Sequence, residues 1–560
     1  MRYSYRPILF CIAVGILAGL SAELFLWLLK TFQQLFISNL TGYAIPDPES
    51  VQASPDAALS APQMLWWLPA ITAAGGLVSG LLSYRLAPEA EGDGADAVIR
   101  AYHQEGSLVR LRTAFTKLLA SSVLIGSGGS AGREGPVAQI GAGIGSWLAG
   151  LFKLSASERS LLTIVGMAAG LAAVFKSPLG SALFAVKSLY SELHMETMDL
   201  GYAILGAAVA FSVVGIFDDW RPLFYLPEAL QLGSPLELVW YSLLGLLAGI
   251  LAAFIPTVFY GVRDGFRKLP VHPVLKPAIG GLLVGLVALQ FPQVLAGGYG
   301  WIQAAINGSL ATGLLLTLIL LKLLTMSFSV GSGGAGGVFA PTLFIGAMLG
   351  AVFANCLCPF LVHAPPAAAI SIVAMASVLA GAARVPLPAL IMVMEMTGGY
   401  GLVVPTMVAV TISWLVQYNL SRRLVYKTLF ESQVSTPADS PLHRREYCST
   451  FLEMLRNSEE KLDRDLVERQ VTDMLFAGEP VPLPHFSGLL YLVQAGEKSS
   501  VINLPLSEIV LPDNARVVSI LRGKNHLVTG SDTRVQPGDW LAVVSGPKAM
   551  QEVRRIFSAG

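Results

Sequence analysis

Over its first 430 residues the chain alternates long apolar runs with short polar breaks. Apolar runs that span or nearly span a bilayer start near residues 7, 64, 160, 200, 236, 274, 312, 366 and 402. A helix needs about 20 apolar residues to cross the hydrocarbon layer. Several of these runs are shorter, or are broken by Gly and Pro, which predicts discontinuous helices packed closely together. After Gln433 the pattern changes to a polar linker, STPADSPLHRREY. Residues 446–475 then carry many charges, with Phe451, Met454, Leu455, Leu462 and Leu466 near the helical period. That spacing predicts an amphipathic helix in the cytosol. From about 488 come short β-rich runs (GLLYLVQ, ARVVSILRG, DWLAVVSG), separated by turn sequences at 512–514 and 536–539, with a last helix over about 548–557. The expected fold is an all-α polytopic membrane domain (1–433), a helical linker (434–487) and a small α+β cytosolic domain (488–560).

Composition agrees with a membrane protein. The chain is 54% hydrophobic and 13% charged, against about 25% charged in soluble domains. Its net charge of +0 gives no electrostatic case for nucleic acid. Arg2 and Arg6 precede an apolar stretch from Ile8 to about Leu29, too long for a signal-peptide core. It reads as a first spanning helix that starts in the cytoplasm. The segment 85–117 carries Arg100, Arg110 and Arg112 and is placed on the same side by the positive-inside rule. Both termini are therefore expected in the cytoplasm, with the chain in a plasma or bacterial inner membrane. The four cysteines form neither a disulfide framework nor a metal-ligand spacing, and Cys356-Leu-Cys358 reads as small core residues. No metal, cofactor or enzymatic chemistry is expected. Gly126-Ser127-Gly128-Gly129 follows no strand of a βαβ unit and is not a dinucleotide fingerprint.

The most informative feature is a repeat. GSGGSAGREGPVAQIGAGIG (126–145) returns as GSGGAGGVFAPTLFIGAMLG (331–350), an offset of 205 residues (331 minus 126). A second pair, AAVFKSPLGSALFAVKS (172–188) and AGAARVPLPALIMVMEM (380–396), aligns Pro178 with Pro386, Leu179 with Leu387 and Lys187 with Glu395. Two related halves around one central site are implied. Each copy of the first repeat opens an apolar helix, and a helix start presents unpaired N–H groups and partial positive charge. Two such starts facing each other would form an anion site.

Gly132-Arg133-Glu134-Gly135-Pro136 puts a carboxylate at one of these starts. Such a group is costly if buried and unpaired. It would compete with a bound anion, and its protonation would free the site, so Glu134 is a candidate gate and proton carrier. The plainer reading is a helix-start carboxylate satisfied by backbone N–H groups.

These motifs bring in a resemblance. GSGGSAGREGPV resembles the GREGP signature of the CLC family of chloride channels and proton-coupled chloride transporters, and GGVFAP (336–341) its G-x-F-x-P signature. AAVFKSPLGSALFAV and AARVPLPALIMVMEMTGGY also look like the membrane core of that family. The resemblance covers about residues 10–432 and implies an inverted repeat with broken helices. It implies that Glu134 is the external gate, that N–H groups around Gly135, Val338 and Phe339 bind the anion, and that Phe339 lines the path. It implies that the Tyr426 hydroxyl donates to the anion; the alternative is an interfacial aromatic anchor. Two positions depart from the pattern. Where the family usually reads G-S-G-I-P-E, this chain has Gly92-Asp93-Gly94-Ala95-Asp96, so Asp93 replaces a donor with an acceptor-only carboxylate. Capping the following helix is its plainer role. Where proton-coupled members carry an inner glutamate stands Ser188, which does not titrate, preceded by Lys187. Glu192, four residues on, is expected on the same helical face. Lys187 either draws anions to the inner mouth or pairs with Glu395 or Glu192. His194 and Glu196 read as surface polar residues.

Residues 500–558 resemble the TrkA-C (RCK-C) domain of potassium-transport regulators, through RG-x-x-x-L-V-x-x-x-D-T-x-x-x-x-GD and SGP. This resemblance implies a regulatory, dimer-forming module for a small ligand, of nucleotide type by resemblance alone, or a structural cap. The expected function is transport of chloride or a similar monovalent anion by a membrane homodimer, as a channel or in exchange for protons. The alternative is a membrane sensor with vestigial transport. A cation transporter is disfavoured by the paired helix starts.

Overall fold

The computed structural model describes residues 6–54, 65–226, 230–357, 359, 364–436 and 440, and, further on, 481–482, 489–496, 499, 501–509, 511–512, 515–522, 525–527, 533–545, 549, 552–553 and 556–557. The chain divides into two compact units, Met1–Ser435 and Thr436–Gly560, close to the composition change at Gln433. The amphipathic helix expected over 446–475 lies outside the described residues.

Counting described helices of eight or more residues, the first unit holds α1 (Arg6–Gln33), α2 (Leu68–Leu86), α3 (Gly94–Gln104), α4 (Leu111–Gly126), α5 (Glu134–Leu151), α6 (Ala156–Phe175), α7 (Pro178–Lys187) and α8 (Thr197–Phe217). A second series follows: α9 (Glu237–Lys268), α10 (Lys276–Ala288), α11 (Tyr299–Ile306), α12 (Thr312–Gly331), α13 (Phe339–Leu357), α14 (Ala367–Ala383), α15 (Pro386–Thr397) and α16 (Val403–Ser421). The two series correspond one to one. α2 packs against its counterpart α10, and the pairs α5–α6 and α1–α8 recur as α13–α14 and α9–α16. Eight helical segments among the described residues are long and apolar enough to cross a membrane, and three more are apolar but shorter.

Local chemistry explains the breaks. α6 starts in a capping box, with the Ser155 hydroxyl accepting from the Glu158 N–H and the Glu158 carboxylate accepting from the Ser155 N–H. α6 and α14 each end on a left-handed residue, Lys176 (φ 55°) and Arg384 (φ 56°). The next helices, α7 and α15, then each begin at a proline, Pro178 and Pro386, whose fixed φ suits a first helical position. The prolines aligned in sequence thus start equivalent short helices. α14 is buried on every side, whereas α1 and α8 expose apolar side chains such as Leu24, Trp27, Ile216 and Phe217. A helix apolar all round belongs in the interior of a membrane protein, with lipid-facing helices around it.

The halves meet at the repeat itself. Gly132 and Gly337 are equivalent by the same offset (337 minus 132), and they form an antiparallel bridge. The Gly132 N–H donates to the Gly337 carbonyl at 2.7 Å, and the Gly337 N–H donates back at 2.9 Å. This reciprocity places a local two-fold axis between the copies and establishes their inverted relation.

The second unit contains an antiparallel sheet in the order β1-β2-β5-β3-β4: β1 (Val481–Pro482), β2 (Leu489–Gln494), β3 (Arg516–Arg522), β4 (Asn525–Leu527) and β5 (Trp540–Ser545). Tyr491, Val493, Ile520, Leu541 and Val543 form its core with Val553 and Phe557, which lie in helical turns at the expected place of the last helix. Asp539, buried, accepts both nitrogens of an Arg522 fork at 3.0 and 2.9 Å and also the Gln536 N–H at 2.7 Å. The expectation that Cys356-Leu-Cys358 holds core residues fails at Cys356, which is exposed near the end of α13; Cys358 lies outside the described residues.

Candidate anion site

Three helix starts converge, and small residues let them. A Cβ on Gly94, the first residue of α3, would run into the Gly135 carbonyl of α5. A Cβ on Gly135 would meet Asp93 Oδ1 and would lie 2.9 Å from the Gly337 Cα. Only glycine allows this backbone-on-backbone approach, so the starts of α3, α5 and α13 meet in one small region.

Glu134 is the first residue of α5 and is 1% exposed. The Glu134 and Ala340 backbone N–H groups approach its carboxyl, but neither carboxyl oxygen makes a well-aligned hydrogen bond. The carboxyl lies beside Gly132, whose Cβ, if present, would touch it and would be 3.1 Å from the Ala340 nitrogen of α13. Phe339 opens α13 and packs its ring 4.6 Å from Phe175 and 5.5 Å from Phe184, centroid to centroid. Phe184 in turn meets Phe430 at 5.9 Å.

Asp93 caps α3: its Oδ2 accepts the Asp96 N–H at 3.1 Å. The same carboxylate also accepts the Val338 N–H through Oδ1, at 3.3 Å. The two readings of Asp93, cap and site residue, are therefore compatible. Gly135, Val338, Phe339, Asp93 and Glu134 are brought together.

Asp93 also lines a cavity of about 630 Å³ that holds Arg100, Arg110, Arg263, Arg267 and Lys276 among five carboxylates, Glu89, Glu91, Asp93, Asp96 and Glu105. Much of this charge is paired: Arg110 with Glu89, Arg263 with Glu431, and Arg100 with Asp96. The Arg263 guanidinium holds the Glu431 carboxyl below the usual carboxylate range.

Tyr426 is not brought to this group. Its hydroxyl bonds to Asp264 Oδ2, and its ring stacks on Tyr260 at 4.7 Å. The residues after α16 run in turns rather than a helix, and Tyr426 is not among the residues that line the cavity. Glu192 requires a correction. α7 stops at Lys187 and Ser188 is its C-cap, after which the chain turns to bridge Tyr190 with Val434. Glu192 is therefore not on a helical face with Ser188. Ser188 itself is buried, with its hydroxyl unpartnered. Lys187 pairs with neither Glu395 nor Glu192. Its ammonium donates to the Tyr190 and Arg384 carbonyls at 2.9 and 3.1 Å. Glu395 instead accepts from Ser177 Oγ at 2.6 Å and the Gly180 N–H at 2.8 Å, at the start of α7, the place a helix dipole offers a carboxylate. Glu196, expected at the surface, is half-buried and accepts the Tyr190 hydroxyl.

Two buried lysines were missed. Lys117 on α4 donates to the Ala90 and Gly92 carbonyls at 3.0 and 2.6 Å. Lys322 on α12 donates to the Val294 and Ala296 carbonyls at 2.9 and 2.7 Å. They too are 205 residues apart (322 minus 117). Extending the repeat back through KLLASS and KLLTMS would have found them, since a charge kept at one position of two apolar helices is costly unless it has a task.

The comparisons agree with this geometry. The family described as "Voltage gated chloride channel" matches residues 75–418, and a TrkA-C domain matches 490–558. The H(+)/Cl(-) exchange transporter ClcA of Cronobacter sakazakii is 30% identical over 379 residues, 66% of this chain and 80% of that one. Among solved structures, a slow cyanobacterial Cl-/H+ antiporter aligns with a TM-score of 0.65 at 23% identity, over 81% of this chain and 99% of that one. A CLC-type fluoride/proton antiporter aligns with a TM-score of 0.64 at 21% identity, over 78% and 100%. The inverted repeat and its convergent helix starts define a membrane protein of the anion-channel and anion-exchanger class. The chain belongs to the CLC family.

Proposed function

We propose that this protein carries a monovalent anion of the chloride class across the membrane in exchange for protons, with Glu134 as the gate. One observation carries the reading: a buried carboxyl approached by the backbone N–H groups of Glu134 and Ala340, set where helix starts from two inverted halves meet. A charge there competes with a bound anion, and a proton removes the competition. The ClcA relative is an H(+)/Cl(-) exchange transporter, which supports the coupling. A passive channel is the second reading, favoured by Ser188, which cannot relay a proton by titration. The protein acts as a homodimer in a plasma or inner membrane, with both termini in the cytoplasm. The TrkA-C-like unit regulates it through a small cytosolic ligand.

The test is chloride-driven proton movement in proteoliposomes, with the voltage set by valinomycin. Uphill proton movement along a chloride gradient supports exchange. Chloride flux without proton movement makes the protein a channel in which Glu134 gates only. Glu134→Gln is expected to abolish the pH dependence of flux; unchanged pH dependence removes Glu134 from the mechanism.

A further inference from the structure

We propose that Asp93 is a second, inner gate: a tethered anion that holds the Val338 N–H until a proton from the cavity releases it. The proposal rests on the anion-transport reading above and extends it to the opposite face of the site.

The carboxylate stands where a transported anion would bind. Its Oδ1 takes the Val338 N–H, on the residue just before α13, while its Oδ2 takes the Asp96 N–H in the first turn of α3. It lies against Gly135, close enough that any Cβ there would collide with Oδ1. Glu134, 99% buried, brings its carboxyl to the Ala340 N–H of the same α13 turn. The first turn of α13 is thus approached by two of the protein's own carboxylates, one at Val338 and one near Ala340. An anion entering from the cavity meets Asp93 first, because Asp93 lines that cavity and Glu134 does not.

One N–H cannot donate fully to two anions, and a carboxylate beside a bound halide repels it. Protonation settles the competition. The carboxylate accepts a proton from water in the cavity and becomes a neutral acid, a much weaker acceptor. The Val338 N–H is then free for the anion, and loss of the proton to the same water restores the block. The groups that face Asp93 set where this happens. Burial works most strongly against its charged form and the Asp96 and Glu134 carboxylates add to that, whereas Lys117 and the Asp96 and Val338 N–H groups favour the charge; Arg263, Glu91 and Tyr260 line the same cavity. Lys117 is tied to the Ala90 and Gly92 carbonyls and cannot fully close on Asp93. A serine at this position would have no such dependence on pH, so the departure from the family pattern acquires a consequence.

The experiment measures chloride binding to the full-length protein by calorimetry at pH 4.5 and pH 7.5. Glu134→Gln is the background, so that the outer carboxyl no longer titrates. In that background chloride is expected to bind at least tenfold more tightly at pH 4.5. Adding Asp93→Asn, or Asp93→Ser, is expected to give the tighter affinity at both pH values; both residues still cap α3, so folding is retained. Equal affinity at the two pH values in Glu134→Gln alone would overturn the proposal, as would a pH dependence that survives Asp93→Asn and Asp93→Ser. Absence of any anion flux in the unmodified protein would instead overturn the transport reading, so the two failures are distinct.

Discussion

The contact between α5 and α6 offers a sharp test of how the site is held. Gly141 of α5 and Gly166 of α6 face each other so closely that a Cβ on either would strike the carbonyl of the other. Gly145 and Gly170 stand in the same relation to the Leu162 and Val137 carbonyls. Small residues four apart that let two membrane helices touch backbone to backbone are a recurrent packing device. Gly141→Ala removes a glycine from a helix interior, a gain of roughly 0.5–1 kcal/mol on its own. The added methyl meets a backbone atom rather than a flexible side chain, so the helices must part, an overpacking cost of about 1–3 kcal/mol. Taking the middle of each range, a net loss of about 1 kcal/mol is expected. Gly261→Ala in α9 is the control: nothing lies within 4 Å of its Cβ, so only the gain should remain. Thermal unfolding in detergent, read by size-exclusion chromatography, should show a lowered midpoint for Gly141→Ala and an unchanged or raised one for Gly261→Ala. The double variant Gly141→Ala/Gly166→Ala should lose less than the sum of the singles, because the first methyl has already separated the helices, with a coupling of roughly 0.5–3 kcal/mol. Flux should fall as well, since α5 begins at Glu134 two turns away. A Gly141→Ala protein that melts at or above the unmodified midpoint would refute the reasoning.

Other outcomes are expected. Arg522→Ala strands the buried Asp539 carboxylate with the Gln536 N–H as its remaining partner among those described. A loss of roughly 3 kcal/mol in the second unit follows, visible as faster limited proteolysis within 489–557 while anion flux persists. Deleting residues 436–560 should leave flux intact and change its response to cytosolic ligands; loss of the folded membrane unit would make the second unit structural. Partial burial works to raise the Glu89 carboxyl, but its bond to Arg110 and that charge outweigh it and hold the group below the usual range. A group lowered on folding stabilises the protein above its unfolded pKa, so Arg110→Ala should weaken it at neutral pH and make no difference well below pH 4 or so. Both side chains are about half exposed, so the effect should stay under about 1 kcal/mol and shrink with salt, as melting curves can check.

Much of the site was legible because it is built from backbone. The repeat at 126–145 and 331–350 located the helix starts, and an amide at a helix start needs no side chain to be recognised. Asp93 was readable as a cap because capping is a local relation between residues 93 and 96. What failed depended on distant partners. Placing Tyr426 requires knowing that Asp264 and Tyr260 wait beside it, on a helix some 160 residues earlier. Glu192 was assigned to the face of Ser188 on helical spacing alone, but the pull of Val434 on Tyr190 ends that helix first. Lys187 looked like half of an ion pair because Glu395 is its counterpart in the repeat. The aligned carboxylate instead serves the opposite end of α7, and backbone carbonyls satisfy the lysine.

The bridge between Gly132 and Gly337 also bears on how the protein is made. Each glycine satisfies its N–H with the carbonyl of the other, yet the two are separated by 205 residues of synthesis. At about 5–20 residues per second that interval is roughly 10–40 s. Throughout it, the Gly132 N–H and carbonyl of the first half lack their mate. A lipid interior does not forgive such a debt. The early half must therefore stay shielded at the insertion machinery, or keep water around Gly132, until its inverted twin arrives to complete both at once.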